Sequence, residues 1–299
     1  MISARQLLGH ATRLVAIAAL ALPFIGATVA PPSGPPPERV TFASADGHTM
    51  LIGYVFKPQG PHSARAPAVV MMHGRAGAYS SLANGKYDAK TLSERHRQWG
   101  HLWAHQGYLA VLVDGFGPRG YPNGFPRFSY DQRPESLNEV TVRPLDAYGA
   151  LGYLRARNDV LTARIGLQGW SNGGSATLAT MSEATPALKS PTPATGFRGA
   201  LAFYPACGLK GQFEDGVVPY APVRVLMGSA DEEVSPRVCG QLVDKGRARH
   251  GDITVKFYPD ATHDFDDPGK NRQQVPANVA ARRDAMTDAI EFFAAVLKQ

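Results

Sequence analysis

From Val40 to the carboxyl terminus, short apolar runs alternate with longer stretches in which apolar residues recur at helical spacing. The runs "APAVVMMHG" and "YLAVLVDG" are short and continuously apolar, which is typical of strands buried on both faces of a sheet. Helical stretches follow them, first around "DAKTLSERHRQWGHLWAHQG" and then from near Ser136 in "SLNEVTVRPLDAYGALGYLRAR". This alternation predicts an α/β fold with a mostly parallel central sheet flanked by helices on both faces.

The same pattern continues to the end of the chain. Further strands are predicted at "ARIGLQG", "GALAFYPA", "PVRVLMGS" and "DITVKFYP", with helices at "NGGSATLATMSE", "SPRVCGQLVDKGRA" and "VAARRDAMTDAIEFFAAVLK". "RVTFAS" and "HTMLIGYVFKP" look like a strand pair, and Ser235 followed by Pro236 marks a helix start. No repeat or change of composition divides residues 39–299, so a single domain is expected. Ligands of such folds lie beyond the carboxyl ends of the strands, and the residues just after each strand are therefore the site candidates.

The first thirty residues have the pattern of a secretory signal peptide. Arg5 and Arg13 precede or open an apolar stretch, and small residues follow it up to Ala30. The apolar stretch contains Pro23 and is shorter than the about twenty residues that a membrane span needs. We therefore predict a signal peptide over residues 1–30, a proline-rich leader over 31–38, and an exported protein without a stable membrane anchor after cleavage.

Charge and motif content exclude several other classes. The formal net charge is +6, but the basic residues are scattered and form no run of five or more, which argues against a nucleic-acid partner. The sequence has no H-E-x-x-H or C-x-x-C metal motif and no glycine-rich nucleotide loop. We predict no metal and no cofactor.

A candidate nucleophile lies in "GLQGWSNGGSA", where Ser171 stands between two glycines after a predicted strand and before a predicted helix. A lone G-x-S-x-G is a weak signal, and a tight turn with a helix-initiating serine is the alternative. The context favours a sharp strand-to-helix turn that lifts the hydroxyl above the sheet edge and aims free helix amides at developing negative charge.

Two later strand ends supply the partners that a serine nucleophile needs. Asp231 follows "VRVLMG" and His263 follows "VKFYP", which gives the order serine, acid, histidine. His263 is predicted as the base and Asp231 as the residue that orients it. Other carboxylates could take the place of Asp231: Glu232, Glu233, Glu214 and Asp215.

The backbone amides of Asn172 and Arg75 are predicted to form the oxyanion hole, because Asn172 follows the nucleophile and Arg75 lies in the turn "MMHGRAG" after a buried strand. His73 in the same turn could be mistaken for a second base. Its position beside Gly74 at a strand end suits a packing or turn-fixing role better.

These motifs resemble the dienelactone hydrolase branch of the α/β-hydrolase superfamily from about Val40 to the carboxyl terminus. The resemblance rests on "MMHGRAG", "LVDGFGPRG", "RPLDAYGALGYL", "GWSNGG", "FYPACG", "LMGSADEEVSPRVC" and "YPDATHDFD". It implies an α/β-hydrolase fold and a triad of Ser171, Asp231 and His263 that cleaves a small carboxylic ester or lactone through an acyl-enzyme. Serine stands where dienelactone hydrolases proper carry a cysteine nucleophile, which favours a broader carboxylic-ester hydrolase.

The resemblance leaves some choices open. A thioester or amide could be cleaved by the same machinery, and a non-catalytic binding protein on this fold is the alternative from another class. The fold also implies that Cys207 and Cys239 lie at the same side of neighbouring strands. A disulfide between them is then expected in an exported protein, and two buried reduced cysteines are the alternative.

A long glycine, proline and aromatic segment, "GFGPRGYPNGFPRFSYDQRP", leaves the predicted site edge of the sheet. We predict that it lines the substrate pocket through Tyr121, Phe125 and Phe128, although a self-packed surface loop is an equal alternative. Trp170, beside the nucleophile, is a further pocket candidate. Arg75 and Arg119 are candidates for attracting an anionic substrate.

Overall fold

The computed structural model describes residues 33–60 and 63–299. The predicted signal peptide and its cleavage site lie outside these residues. Within them no helix is long and apolar enough to cross a membrane.

One eight-stranded sheet organises the described chain, with strand order β1-β2-β4-β3-β5-β6-β7-β8. The strands are β1 Glu38–Ala43, β2 Met50–Phe56, β3 Ala66–Met72, β4 Leu109–Asp114, β5 Val160–Trp170, β6 Ala200–Phe203, β7 Val223–Gly228 and β8 Ile253–Tyr258. β1 and β2 pair with each other antiparallel, and β2 pairs antiparallel with β4. All pairings from β4 through β8 are parallel, so the strand ends predicted to carry the site lie at one edge.

Helices cover both faces of this sheet. They are α1 Glu94–His105, α2 Arg143–Arg155, α3 Asn172–Met181, α4 Pro236–Ala248, α5 Lys270–Gln273 and α6 Pro276–Leu297. A Cβ on Gly166 of β5 would meet Phe293 of α6 at 2.5 Å, whereas one on Gly169 would meet Thr177 of α3 at 2.4 Å. Positions 166 and 169 are an odd number apart and face opposite sides of the strand. The predicted α/β fold with a mostly parallel sheet is therefore confirmed.

Two helices begin later than the sequence pattern predicts. α1 begins at Glu94, because the Ser93 side chain accepts a hydrogen bond from the His96 amide and caps the helix there. α2 begins at Arg143 and not near Ser136, with Pro144 in its first turn, a position that proline favours. The start predicted at Ser235 and Pro236 for α4 is confirmed.

Candidate active site

Ser171 lies in the turn between β5 and α3, with φ 52° and ψ −116°. This left-handed conformation is costly for a residue with a side chain and persists only where the surroundings enforce it. Neighbouring backbone provides that enforcement, because a Cβ on Gly173 would lie 2.1 Å from the carbonyl oxygen of Met72. A Cβ on Gly169 would lie 2.1 Å from the carbonyl oxygen of Gly173. The two glycines of the motif therefore allow β3, β5 and α3 to approach closely enough to hold the strained serine.

The structure brings Ser171, His263 and Asp231 together. Ser171 Oγ lies 3.0 Å from His263 Nε2, and His263 Nδ1 lies 2.8 Å from Asp231 Oδ2. A carboxylate only accepts, so Nδ1 carries the proton and Nε2 is left to accept the hydrogen bond from the serine hydroxyl. Asp231 is itself held by the amides of Glu233 and Val234, each 2.9 Å from its Oδ1. This arrangement can transfer the serine proton to the imidazole as the hydroxyl attacks.

The competing carboxylates have other partners. Glu232 accepts a hydrogen bond from the His263 amide and pairs with Arg127 and Arg272 at 2.6 and 2.8 Å. Burial would raise the pKa of Glu232, but the Arg272 hydrogen bond and its other donors lower it to about 2. Glu233 Oε2 lies 3.8 Å from His263 Nε2, on the serine side of the ring. Glu214 and Asp215 line a separate cavity. Among the described carboxylates, Asp231 is the one at Nδ1.

The surroundings of His263 raise its pKa above the ordinary value. Burial alone would lower it, because the charged imidazolium loses hydration. The hydrogen bond to Asp231 and the negative charges of Asp264, Asp231 and Glu233 outweigh that effect. These carboxylates would stabilise the imidazolium that forms when His263 takes a proton.

The predicted oxyanion donors lie on either side of the nucleophile. Neither the Arg75 amide nor the Asn172 amide has a backbone acceptor among the described residues. Asn172 is the first residue of α3, where amides have no partner within the helix. A Cβ on Gly74 would be 3.4 Å from the Ser171 Cβ, so the turn that carries the Arg75 amide lies directly beside the serine. Both amides are thus free to stabilise an oxyanion.

His73 fixes the turn and does not face the nucleophile. Its Nδ1 donates to the Gly74 carbonyl at 2.8 Å, which leaves Nε2 to accept from the Gly115 amide at 3.4 Å. Burial lowers the pKa of His73 well below its ordinary value, and the positive charge of Arg143 adds to the effect. A neutral imidazole with both nitrogens engaged suits the predicted turn-fixing role.

Arg143, at the start of α2, is a site residue that sequence analysis missed. Its Nη1 donates to the carbonyl of His73 at 2.8 Å and to Oδ1 of Asn172 at 2.7 Å. The side chain is fully buried and lies over the Phe116 ring. One guanidinium therefore ties together the two segments that carry the oxyanion amides. The quoted motif "RPLDAYGALGYL" contains Arg143, but no pattern within it shows where the side chain points.

Trp170, predicted as a pocket residue, lines neither of the two cavities that include Ser171. It is fully buried, and its indole Nε1 donates to Asp266 Oδ2 at 2.8 Å. Trp99 Nε1 donates to the same oxygen at 2.8 Å, and Tyr204 donates to Oδ1. The Tyr204 ring packs edge-on against His263 with centroids 4.7 Å apart. A buried indole needs a hydrogen-bond acceptor, and Asp266 provides it, so the Trp170 side chain points into the protein interior. Through Tyr204, the same carboxylate also positions a ring that packs against His263.

The loop after β4 also departs from the prediction in part. Arg119 is paired with Asp46 at 2.9 Å and Asp146 at 2.8 Å in a buried network, so it is not available to an anionic substrate. Tyr121 stacks on Phe125 at 5.2 Å, and neither residue lines the cavities at Ser171. Phe125 supports the oxyanion turn through its amide, which donates to the Arg75 carbonyl at 2.8 Å.

Other residues of this loop reach the site. Phe128, also predicted, lines a cavity of about 480 Å³ at Ser171 together with Tyr130 and Arg133. The Arg75 side chain lines it too, held by Glu233 at 2.9 and 2.8 Å. Aperiodic loops give no sequence signal for which side chains point inward, so Tyr130 and Arg133 were missed.

Cys207 and Cys239 form the expected disulfide, which links the segment after β6 to the first part of α4. Cys207 also lines the cavity at Ser171. The bond therefore fixes one wall of the site.

One cluster of acidic and imidazole groups could in principle hold a cation: Glu233, His263 and Asp264. Its carboxylates already have cationic partners, because Glu233 pairs with Arg75 and Asp264 pairs with Arg95 at 2.8 and 2.7 Å. The cluster therefore serves the charge balance of the base.

Comparisons with known proteins give the family and the fold of this chain. The model of the dienelactone hydrolase family matches residues 51–297. The chain is similar to the solved structure of a dienelactone hydrolase-like promiscuous phosphotriesterase from metagenomic libraries, with a TM-score of 0.62 and 18% identity over 87% of this chain and 97% of the other. It is also similar to esterase 2 of Thermogutta terrifontis phosphorylated by paraoxon, with a TM-score of 0.60 and 17% identity over 90% of this chain and 97% of the other. No curated protein matches the sequence. At these identities the structural likeness is one of fold.

Proposed function

The chain belongs to the dienelactone hydrolase family of carboxylic ester hydrolases, and from this premise we propose that it cleaves a small carboxylic ester or lactone through an acyl-enzyme on Ser171. The observation that carries the proposal is the 3.0 Å contact between Ser171 Oγ and His263 Nε2, made by a serine held in a left-handed conformation. A serine needed only for a turn would not require an imidazole aligned on its hydroxyl.

In the first half of the proposed reaction, Ser171 Oγ bonds to the ester carbonyl carbon and its proton passes to His263 Nε2. The carbonyl oxygen becomes an oxyanion, which accepts hydrogen bonds from the amides of Arg75 and Asn172. The bond between the carbonyl carbon and the alcohol oxygen then breaks, and His263 returns the proton to that oxygen. Asp231 keeps the Nδ1 proton in place and stabilises the imidazolium throughout.

In the second half, water replaces the alcohol. His263 removes a proton from the water, the resulting hydroxide attacks the acyl carbon, and the bond to Ser171 Oγ breaks as the serine recovers its proton. The free acid leaves and the enzyme returns to its starting state.

Thioester or amide cleavage and non-catalytic binding are the rival functions. Each predicts a different result with matched ester, thioester and amide substrates of the same acyl group. We expect the esters to be hydrolysed fastest and Ser171→Ala to abolish that activity. Equal rates for wild type and Ser171→Ala, or no hydrolysis by either across a broad panel, would rule the proposal out.

Covalent labelling tests the nucleophile without knowledge of the substrate. A fluorophosphonate should phosphonylate Ser171 with loss of fluoride, and paraoxon should phosphorylate it with loss of p-nitrophenolate. Peptide mapping by mass spectrometry should find the added mass on that residue and none in Ser171→Ala. A label on any other serine would overturn the assignment.

We also propose that the protein acts after export, on the basis of the amino-terminal sequence and the disulfide. Fractionation of the cells that make it, with immunodetection of a chain shortened by residues 1–30, checks this. A full-length cytoplasmic protein would contradict it.

A further inference from the structure

Two cavities meet at the nucleophile. One has a volume of about 480 Å³ and the other about 410 Å³, and both include Ser171 and Arg75 in their walls. An ester bound at Ser171 has two ends to place, one on each side of the reacting carbon. The two cavities differ in their chemistry and in the catalytic groups that line them.

The larger cavity, which we call the apolar cavity, has mostly hydrophobic walls. These are Phe128, Ala206, Cys207, Leu209, Val234 and Val238. Two of its cations are paired with carboxylates, Arg75 with Glu233 at 2.8 Å and Lys210 with Glu135 at 3.2 Å. The third, Arg133, lies over the Tyr130 ring at 5.2 Å from its centroid. A hydrocarbon chain placed here would be bound about fourfold more tightly for each methylene that it buries.

The smaller cavity, which we call the polar cavity, has walls rich in hydroxyl and carboxylate groups. These are Ser80, Ser81, Ser93, Glu94, Asp264 and Asp267. Its buried cation, Arg95, is already paired with Asp264 and Asp267, both at 2.7 Å. An anionic group here would meet three carboxylates and no unpaired arginine, whereas neutral hydroxyls could donate to these oxygens.

The positions of the catalytic groups determine which cavity receives the alcohol part of an ester and which receives the acyl part. His263 lines the polar cavity, and Asn172 lines the apolar cavity. Because His263 must return a proton to the departing alcohol oxygen, the alcohol has to lie on the side where His263 meets the cavity. The acyl chain, which stays on Ser171, is then directed to the other side.

We propose that the substrates are esters of an apolar acid with a neutral, hydroxyl-rich alcohol, with the acyl chain in the apolar cavity and the alcohol in the polar cavity. This rests on the proposed ester hydrolysis at Ser171 and specifies its substrate class. Glycerol is the simplest alcohol of this kind and serves as the probe.

Four esters measure the acyl preference and the alcohol preference separately: ethyl acetate, ethyl octanoate, glycerol monoacetate and glycerol monooctanoate. For the wild type we expect octanoyl esters to exceed acetyl esters in kcat/KM by at least about tenfold, as for methylenes added in a fitting pocket. We expect glycerol esters to exceed ethyl esters in kcat/KM by about fivefold to thirtyfold, as for one or two neutral hydrogen bonds. Choline octanoate tests a cationic alcohol, and a preference for it over glycerol octanoate would overturn the proposal.

Two blocking variants test the orientation. Val238→Trp fills the apolar cavity and should remove the octanoyl preference while the glycerol preference stays. Ser81→Trp fills part of the polar cavity and should do the reverse. Thr162→Trp is the matched control, since Thr162 is exposed near the amino end of β5, away from the site edge, and both preferences should stay.

Failure of this inference gives a different result from failure of the proposed ester hydrolysis. If the wild type hydrolyses none of the esters, ester hydrolysis itself fails. If it hydrolyses them but Val238→Trp alters alcohol preference and Ser81→Trp alters acyl preference, the orientation is reversed and the inference is wrong. Unchanged preferences in both folded variants also overturn it. Should a variant not fold, the wild-type preferences decide: without both of them the inference fails.

Discussion

Replacement of Arg143 by methionine tests whether one buried guanidinium positions the oxyanion hole. The change keeps an unbranched apolar stem but removes the guanidinium that donates to the His73 carbonyl and to Asn172 Oδ1. Those two acceptors lie on the segments that end β3 and begin α3. We expect a loss of kcat with little change in KM, because an oxyanion exists in the transition state and not in the bound ester.

Two opposing effects limit the change in stability. Each buried acceptor left without a donor costs about 1–3 kcal/mol, or about 2–6 kcal/mol for the pair. Burial, however, lowers the pKa of Arg143 from its ordinary 12.5 to about 10, which corresponds to about 3 kcal/mol of destabilisation of the charged side chain. The neutral methionine avoids that cost, so the free energy of unfolding should fall by no more than about 3 kcal/mol.

The effect on catalysis should be larger than stability alone would suggest. Removal of an oxyanion donor lowers kcat by about 10²–10³-fold, and a donor that is displaced but still present should cost less, about 10–100-fold. Arg143→Lys keeps a buried cation but lacks the planar array of guanidinium donors, so it should recover part of the lost kcat.

The assay is steady-state hydrolysis of p-nitrophenyl acetate, with urea unfolding of the same samples. Arg157→Met is the matched control, because Arg157 bonds Asp159 and Tyr153 away from the site, and its kcat should stay within about twofold of wild type. A folded Arg143→Met enzyme with wild-type kcat would refute the positioning role. So would a rise in KM with kcat unchanged.

Gly173→Ala would place a Cβ 2.1 Å from the Met72 carbonyl oxygen and should abolish ester hydrolysis. A Cβ on Gly152 of α2 would meet nothing within 4 Å, so Gly152→Ala is the control: it should leave activity unchanged and raise the free energy of unfolding by up to about 1 kcal/mol. An active Gly173→Ala enzyme would contradict the close approach of β3 and α3. Loss of the Cys207–Cys239 bond, which spans a sequence separation of 32, should lower the free energy of unfolding by about 4 kcal/mol because the unfolded chain becomes less constrained. Urea unfolding of the Cys207→Ala/Cys239→Ala variant measures this loss. An unchanged unfolding midpoint would contradict a stabilising role of the disulfide. His263 must be neutral to accept the serine proton, and its pKa is raised, so kcat/KM should rise with pH through a midpoint above the ordinary 6.5. Glu233→Gln removes a negative charge 3.8 Å from His263 Nε2 and should move that midpoint to lower pH. A midpoint that stays in place or moves upward would show that Glu233 does not raise the pKa of His263.

The fold and the three central site residues were predictable because both depend on short-range patterns. Continuous apolar runs identify the buried parallel strands, and parallel strands bring their carboxyl ends to one edge. Ser171, Asp231 and His263 each follow such a strand, so their meeting requires only the sheet. The helix starts at Glu94 and Arg143 were harder to place, since a cap or a proline in the first turn, and not the apolar period, decides where a helix begins.

Other parts of the site depend on long-range contacts that no local pattern encodes. Trp170 stands beside the nucleophile in sequence but turns inward because Asp266, 96 residues later, accepts its indole hydrogen. Arg119 follows a strand at the site edge, yet two distant carboxylates hold it in a buried network. Position along the chain places a residue at the correct edge of the sheet, but its partners decide whether it faces the substrate.

Asp266 and Arg143 together explain how this edge of the sheet stays rigid enough for catalysis. Asp266 accepts from Trp99, Trp170 and Tyr204, and so links α1, the end of β5 and the segment after β6 to the His263 loop. Arg143 links α2 to the end of β3 and the start of α3. Both groups are buried, and burial raises the pKa of Asp266 as it lowers that of Arg143. The chain thus keeps two buried ionisable groups whose hydrogen bonds converge on the segments that carry His263, Asn172 and the turn after His73. Val238 and Ser81, which line the two cavities, take part in neither network. Changes of substrate preference should therefore be obtained at Val238 or Ser81 without loss of the catalytic geometry.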